Sequence, residues 1–366
     1  MSTEQDKGFT GEEEFYQTIV IGGGQAGLAV GHFLAQQGEE YIILDKNPRT
    51  GDAWRSRWDS LRLFTPSQFD SLPGMPFPKS KNYFPPKDEV ADYLEEYTRQ
   101  FNLPVRHNIK VESLNHNGRN FQISAGSARY GVRNVVVATG PFQTPYTPSF
   151  AKELDPGILQ LHSSAYRNQH QIPGKSVLVV GAGNSGAEIA LELSKVGKQV
   201  WLAGRDVGRI PSNSPLGKLF DGRPLWWFLT HVLTTNTPMG RKMQASLSHH
   251  GAPLGRICRD DIVRAGVIFT PRMSGVQAGK PQLIDGRILP AEGVIWATGF
   301  QPDYRWINLP ILDEHGYPQH SRGIVQNAVG LYFIGLPFQT GLNSSLLGGV
   351  GNDAAYIAMQ VARHDH

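Results

Sequence analysis

Two stretches of this 366-residue chain follow one plan, and that repetition constrains the fold more than any other feature. Tyr16-Gln-Thr-Ile-Val-Ile21 leads into Gly22-Gly23-Gly24-Gln25-Ala26-Gly27 and a helix-like Leu28 to Gln37. Lys175-Ser-Val-Leu-Val-Val180 leads into Gly181-Ala182-Gly183-Asn184-Ser185-Gly186 and Ala187 to Val196. Each is an apolar strand, a GxGxxG turn and an amphipathic helix. Each also has a later partner, Arg133-Asn-Val-Val-Val-Ala138-Thr139-Gly140 and Gly293-Val-Ile-Trp-Ala297-Thr298-Gly299. Ala138 follows Gly22, and Ala297 follows Gly181, by the same 116 positions (22 to 138, 181 to 297). In such a turn the first glycine permits the tight bend and the second the approach of a pyrophosphate. The third lets helix and strand pack closely. The helix N-terminus offers free N–H groups and a positive dipole end to the phosphates. The expected fold is therefore α/β, with two Rossmann-like dinucleotide-binding domains.

The end of the second strand in each unit separates the two sites. Glu40-Tyr-Ile-Ile-Leu44 ends at Asp45, about 20 residues beyond the glycines, where a carboxylate can bind a ribose diol. A free 2′-hydroxyl suits FAD or NAD. Lys46, the next residue, leaves a 2′-phosphate open as a lesser reading. In the second unit Gln199-Val-Trp-Leu-Ala203 ends at Gly204-Arg205. The acid is absent and a guanidinium present, which suits the 2′-phosphate of NADPH. The alternative for Arg205 is a solvated surface charge.

Composition narrows the class. Net charge is +3 with no dense Lys/Arg stripe, so a nucleic-acid partner is not expected. Cys258 is the only cysteine. A disulfide framework and a CxxC redox pair are excluded, which fits a cytoplasmic protein. The polar, acidic start (Met1 to Glu14) lacks the features of a signal peptide, and no run reaches the roughly 18 apolar residues of a spanning helix. Pro224-Leu-Trp-Trp-Phe-Leu-Thr-His-Val-Leu233 reads as a packed helix, a channel wall or a membrane-surface patch. His249-His250 and His364-Asp-His366 lack metal-ligand spacing, and no GxSxG elbow follows a strand.

Further segments carry a resemblance. Gly51-Asp-Ala-Trp54-Arg55, Trp58-Asp-Ser-Leu-Arg-Leu-Phe-Thr-Pro66, Leu72-Pro-Gly-Met-Pro-Phe77, Ala297-Thr-Gly-Phe300 and Gly330-Leu-Tyr-Phe-Ile-Gly-Leu336 join the two glycine turns. Together they resemble the flavin-containing monooxygenase superfamily, in its short bacterial branch related to indole-pyruvate monooxygenases. The resemblance implies that Trp54 and Arg55 lie along FAD. It also implies that Gly335 to Gly341, Asn343-Ser-Ser-Leu346 and Asp353 to Val361 close the FAD site near the isoalloxazine ring. Gly140 is counted with the cofactor contacts. The family's identifying motif, Phe-x-Gly-x-x-x-His-x-x-x-Tyr, is altered. Four residues separate Gly157 from His162, and Asp155 stands where Phe is expected, while Tyr166 is kept. His162 reads either as a coupling residue or as a hydrogen-bonded linker.

The expected architecture is an FAD domain over 1–168 and 301–366 with an NADPH domain, 169–300, inserted. The loop Ile210 to Arg256 is the expected substrate gate. The resemblance implies hydride transfer from NADPH to FAD, addition of O₂ to give a C4a-peroxyflavin, and oxygenation of a small organic substrate. No side chain is assigned as a catalytic residue. An NADPH oxidase or electron-donating reductase, and a redox-sensing flavoprotein, are the alternatives.

Overall fold

In the computed structural model residues 13–210, 219–250 and 253–365 are described. The first glycine unit opens with β1 (Glu14–Ile21), α1 (Gln25–Gln37) and β2 (Tyr41–Leu44). The short helix α2 (Asp52–Arg55) and the long α3 (Lys87–Gln100) follow. Strands β3 (Val105–Arg106), β4 (Ser113–His116), β5 (Phe121–Ala125) and β6 (Ala128–Val137) come next. They form one sheet in the order β3-β2-β1-β6-β5-β4, parallel at β3-β2-β1-β6 and antiparallel at β6-β5-β4.

Two strands of β7 (Thr144–Pro145) and β8 (Leu159–His162) lead to the second unit: β9 (Ser176–Val180), α4 (Asn184–Lys195) and β10 (Gln199–Ala203). Helices α5 (Arg223–His231), α6 (Pro238–His250) and α7 (Arg259–Arg264) precede β11 (Ile268–Thr270). A two-stranded ribbon of β12 (Met273–Gln277) and β13 (Lys280–Leu283) comes before β14 (Gly293–Trp296). The second sheet has the order β11-β10-β9-β14-β8 and is parallel throughout. Parallel strands covered on both faces read as continuous apolar runs. All five residues of β9, Ser-Val-Leu-Val-Val, are buried accordingly.

The chain passes between the sheets twice, and the passages are joined. β15 (Phe300–Gln301) pairs antiparallel with β7, Phe300 opposite Pro145. β16 (Leu331–Phe333) then returns to the first sheet and pairs with Val135–Val137 of β6. The last helix, α8 (Val350–Asp365), lays Ala354, Ile357, Ala358 and Val361 into the core shared with Leu28 and Leu34 of α1. One strand lies across the boundary expected at residue 168. β8 lies before residue 168 yet pairs with β14 in the second sheet, because Leu159–His162 extends that parallel array at its edge. The outward passage therefore lies upstream of residue 159. Residues 211–218 and 251–252 of the expected gate, and His366, lie outside the described residues. Among the described residues no helix is long and apolar enough to cross a membrane.

Candidate functional site

The two glycine turns superimpose in their packing logic. Gly22 has φ +112°, and a Cβ there would lie 2.5 Å from the Ala138 carbonyl oxygen. Gly181 has φ +110°, and its Cβ would lie 2.2 Å from the Ala297 oxygen. These are the residue pairs separated by 116 positions, so the equal offset is a repeated contact. Gly27 and Gly186 are pressed against the first glycine of their own turn, at 1.9 and 1.8 Å from its carbonyl oxygen. The middle glycines behave oppositely. A Cβ on Gly24 or Gly183 meets nothing within 4 Å. Both are N-caps that make no side-chain cap bond, and neither α1 nor α4 has an acid in its first turn. Two uncapped, positive helix ends thus face open space, and both fit a pyrophosphate.

The second-strand ends diverge. Asp45 is buried, and its carboxylate accepts from the Gly23 N–H at 2.6 Å and the Asn47 N–H at 2.7 Å. It is thereby fixed at the mouth of the first turn with acceptor capacity remaining for a diol. Gly204 occupies the matching place. A Cβ there would lie 2.7 Å from the Ala182 nitrogen and 2.8 Å from the Ala182 Cβ. Ala182 in place of Gly23 therefore goes with glycine in place of the acid. Arg205 next to it is exposed, as is Lys46 next to Asp45.

Other expected site residues are distributed unevenly. Gly335 (φ +78°) brings the C-terminal run onto the first turn, where its Cβ would lie 2.8 Å from the Ala26 Cβ. Gln25 donates to the Ser345 carbonyl at 3.3 Å and holds the same run. Gly140 (φ +72°) faces open space, and its carbonyl accepts from Gln143 at 2.9 Å. Trp54 packs half-buried on the α1–α8 core. Asn184 donates to the Pro253 carbonyl (3.1 Å) and accepts from Gly255 N–H (3.0 Å), so it clamps a loop onto α4. Ser185 stands half-buried in the same first turn.

Arg55, expected to lie along FAD, is bonded within the fold. Its guanidinium donates to the Thr50 carbonyl (2.7 Å), Asp52 (3.1 Å), Asp92 (3.0 Å) and Glu95 (2.9 Å). Three carboxylates match its one charge. It fastens α2 to α3, which Gly51 (φ +88°, Cβ 2.6 Å from the Ala91 oxygen) brings close.

The altered linker motif joins the two halves. His162 Nδ1 accepts from the Ser164 N–H at 3.1 Å, so Nε2 carries the proton donated to the Gly299 carbonyl at 3.0 Å. Burial holds the imidazole below its ordinary pKa, and it is a neutral tie between the two passages. Tyr166 is fully buried and donates to Glu192 of α4 at 2.7 Å. The irregular spacing is absorbed in the Asp155–Ile158 turn, where Gly157 N–H donates to Asp155 Oδ1 at 2.7 Å, upstream of β8.

Helix α5 has two faces. Trp226 stacks on Phe69 (centroids 4.8 Å, 12°), while Trp227 is 58% exposed. The chain beyond α5 bonds to the C-terminal run through Thr235 N–H to Thr340 O (2.9 Å) and Leu342 N–H to Leu233 O (3.1 Å). The expected gate thus rests on the segment expected to close the first site.

Sequence reasoning missed one group here. Asp70 has no exposed surface, accepts from Thr65 Oγ1, and its Oδ2 has no partner among the described residues. Burial pushes its carboxyl up to about 7, against the opposing Thr65 bond. The only available signal was a lone acid within the apolar run Leu61 to Phe77.

Residues 19–216 match the pyridine nucleotide-disulphide oxidoreductase family. The chain is 40% identical over 354 residues to an uncharacterized oxidoreductase, CzcO-like, of Geobacillus kaustophilus, covering 96% of this chain and all of the relative. It is 28% identical to the probable indole-3-pyruvate monooxygenase YUCCA3 of Arabidopsis thaliana over 94% of this chain and 86% of that protein. A flavin-containing monooxygenase structure from Stenotrophomonas maltophilia aligns with TM-score 0.79 and 27% identity, over 96% of this chain and all of the other. A single cysteine leaves this chain without the dithiol for which the family is named. The chain is an oxidoreductase of the pyridine nucleotide-disulphide oxidoreductase family, in its flavin monooxygenase-like branch.

Proposed function

We propose that this chain is an FAD-dependent monooxygenase that uses NADPH and O₂ to oxygenate a small organic substrate. The observation that carries the reading is the inequality of two otherwise matched turns, Gly23 with Asp45 against Ala182 with Gly204-Arg205. The first turn, with Gly22, Gly24, Ala26 and Gly27, would hold the FAD pyrophosphate on the N–H groups of α1. Asp45 would accept the ribose hydroxyls. Trp54, Gly140 and Gly335 would line the cofactor's path, the last because it sits against Ala26. The second turn, with Gly181, Gly183, Ser185 and Gly186, would hold NADPH on the N–H groups of α4. Arg205 would meet its 2′-phosphate through a charge-assisted bond.

Bound FAD supplies hydride acceptance and the activation of oxygen. The protein's share is positional. His162 and the paired β7 and β15 fix the two sheets relative to one another. Asn184 keeps the 253–255 loop on α4, and the α5 region covers the C-terminal run, which excludes water. The monooxygenases among the similar proteins support oxygen insertion.

The test is turnover under ¹⁸O₂ with NADPH and a screen of amines, thioethers and keto acids. Incorporation of one labelled atom into product per NADPH consumed is expected. NADPH consumption that yields only H₂O₂ across the screen contradicts the reading and favours an oxidase.

A further inference from the structure

Arg57 is a cation to which no ion pair among the described residues brings an anion. It follows α2 by two residues and donates from Nε to the Ala53 carbonyl at 3.2 Å. Its guanidinium carbon lies 5.7 Å from the Phe142 ring centroid and 5.8 Å from that of Phe300. Phe142 stands beside the outward passage between the sheets and Phe300 begins β15 on the return. Partial burial and the neighbouring Arg167 both lower the pKa of Arg57 without discharging it. His162, also within its field, sits edge-on to Phe300 at 5.1 Å. Three basic side chains thus converge at the junction, and none of the ion pairs among the described residues brings a carboxylate to Arg57.

Arg55, two residues earlier, shows how this segment treats a guanidinium that only builds the fold: three carboxylates surround it. Arg57 is half-buried, and rings at nearly 6 Å offset only part of the cost of partly desolvating a cation. Position adds direction. Trp58, the next residue, is buried in the core cluster of Ala182 and Ala297 at the second turn. Ala53, which receives the Nε bond, precedes Trp54.

We infer that Arg57 is an anion-binding residue that receives a phosphate or carboxylate of a ligand entering between the two sheets. The two sources are the nicotinamide nucleotide and an acidic substrate. Their identity rests on the proposed function; the anion site does not.

The test uses binding to the FAD-loaded protein without turnover, followed by flavin absorbance and tryptophan fluorescence. The ligands are NADP⁺, inorganic pyrophosphate, and phenylacetate against phenylacetamide. Arg57→Gln is expected to raise Kd at least tenfold for the anions it serves, with Arg57→Lys recovering part of the loss and FAD content unchanged. Loss confined to NADP⁺ and pyrophosphate assigns the site to the nucleotide. Loss confined to phenylacetate, with the amide unaffected, assigns it to substrate. Equal binding by wild type and variant across the set overturns the inference. If Arg57→Gln does not fold, wild type is modified with phenylglyoxal and mapped by mass spectrometry. Protection of Arg57 by one of these anions is expected, and absence of protection by all of them overturns the inference. No readout needs oxygen insertion, so failure of the monooxygenase reading leaves the result intact.

Discussion

Single positions decide what each half of this molecule can hold. Asp45 and Gly204 stand at the same place in two copies of one motif, and their partners changed with them: Gly23 leaves room for a carboxylate, Ala182 does not. Both were legible in the sequence because the offset from the glycines is fixed by one strand–turn–helix unit. Arg55 was not, since its partners Asp92 and Glu95 lie about 40 positions away on α3. Asp70 was not, since a distant segment packs beside it: a Cβ added at Gly348 would lie 1.7 Å from the Phe69 oxygen and 3.3 Å from the Asp70 nitrogen. Asp70 gives a pH prediction. Its carboxyl titrates near 7 in the fold against 3.8 when unfolded. A raised pKa means stability present below the unfolded value and lost as pH rises toward 7. Asp70→Asn removes this titration. The variant is expected to gain on wild type by on the order of 2 kcal/mol between pH 5 and 8. Urea unfolding at both pH values measures it; a difference that stays constant with pH contradicts it.

Elements place those residues, and here the glycines of each turn separate into crowded positions and open ones. Gly186 has no space for a methyl group, with the Gly181 oxygen 1.8 Å from its Cβ, whereas Gly183 faces open space in an extended backbone (φ −74°, ψ −175°) that alanine accepts. Gly186→Ala is therefore expected to lower Tm by several degrees or prevent folding, since overpacking costs typically 1–3 kcal/mol. Gly183→Ala is expected to keep the wild-type Tm and weaken NADP⁺ binding about tenfold, because its methyl group would occupy the pyrophosphate's approach. Thermal melts and nucleotide titration of the pair check this; a destabilised Gly183→Ala with unchanged binding reverses the assignment. Strand–turn–helix order was readable because it is local. The membership of β8 in the second sheet was not, because a four-residue strand at a sheet edge is defined by its partner β14, more than 130 positions away. The two faces of α5 were equally hidden: apolarity alone does not tell Trp226, stacked on Phe69, from exposed Trp227.

At the scale of the whole molecule, two sheets are joined by two adjacent passages. His162 bonded to Gly299 and β7 paired with β15 tie one to the other. Two matched nucleotide turns would give a symmetric carrier. On the proposed function, the difference between them would give hydride flow a direction, from a phosphate-marked nucleotide on the second sheet to a diol-held flavin on the first. Arg205 is the side chain on which that direction depends most. The most direct measurement is anaerobic stopped-flow reduction of the FAD-loaded protein by NADPH and by NADH, in wild type and Arg205→Ala. Wild type is expected to favour NADPH at least tenfold in reduction efficiency, and the variant to lose most of that preference while its reaction with NADH stays within about twofold, since a charge-assisted bond is worth roughly 1.5–3 kcal/mol. Equal losses for both nucleotides, or a wild type that does not distinguish them, contradict the assignment of the two turns.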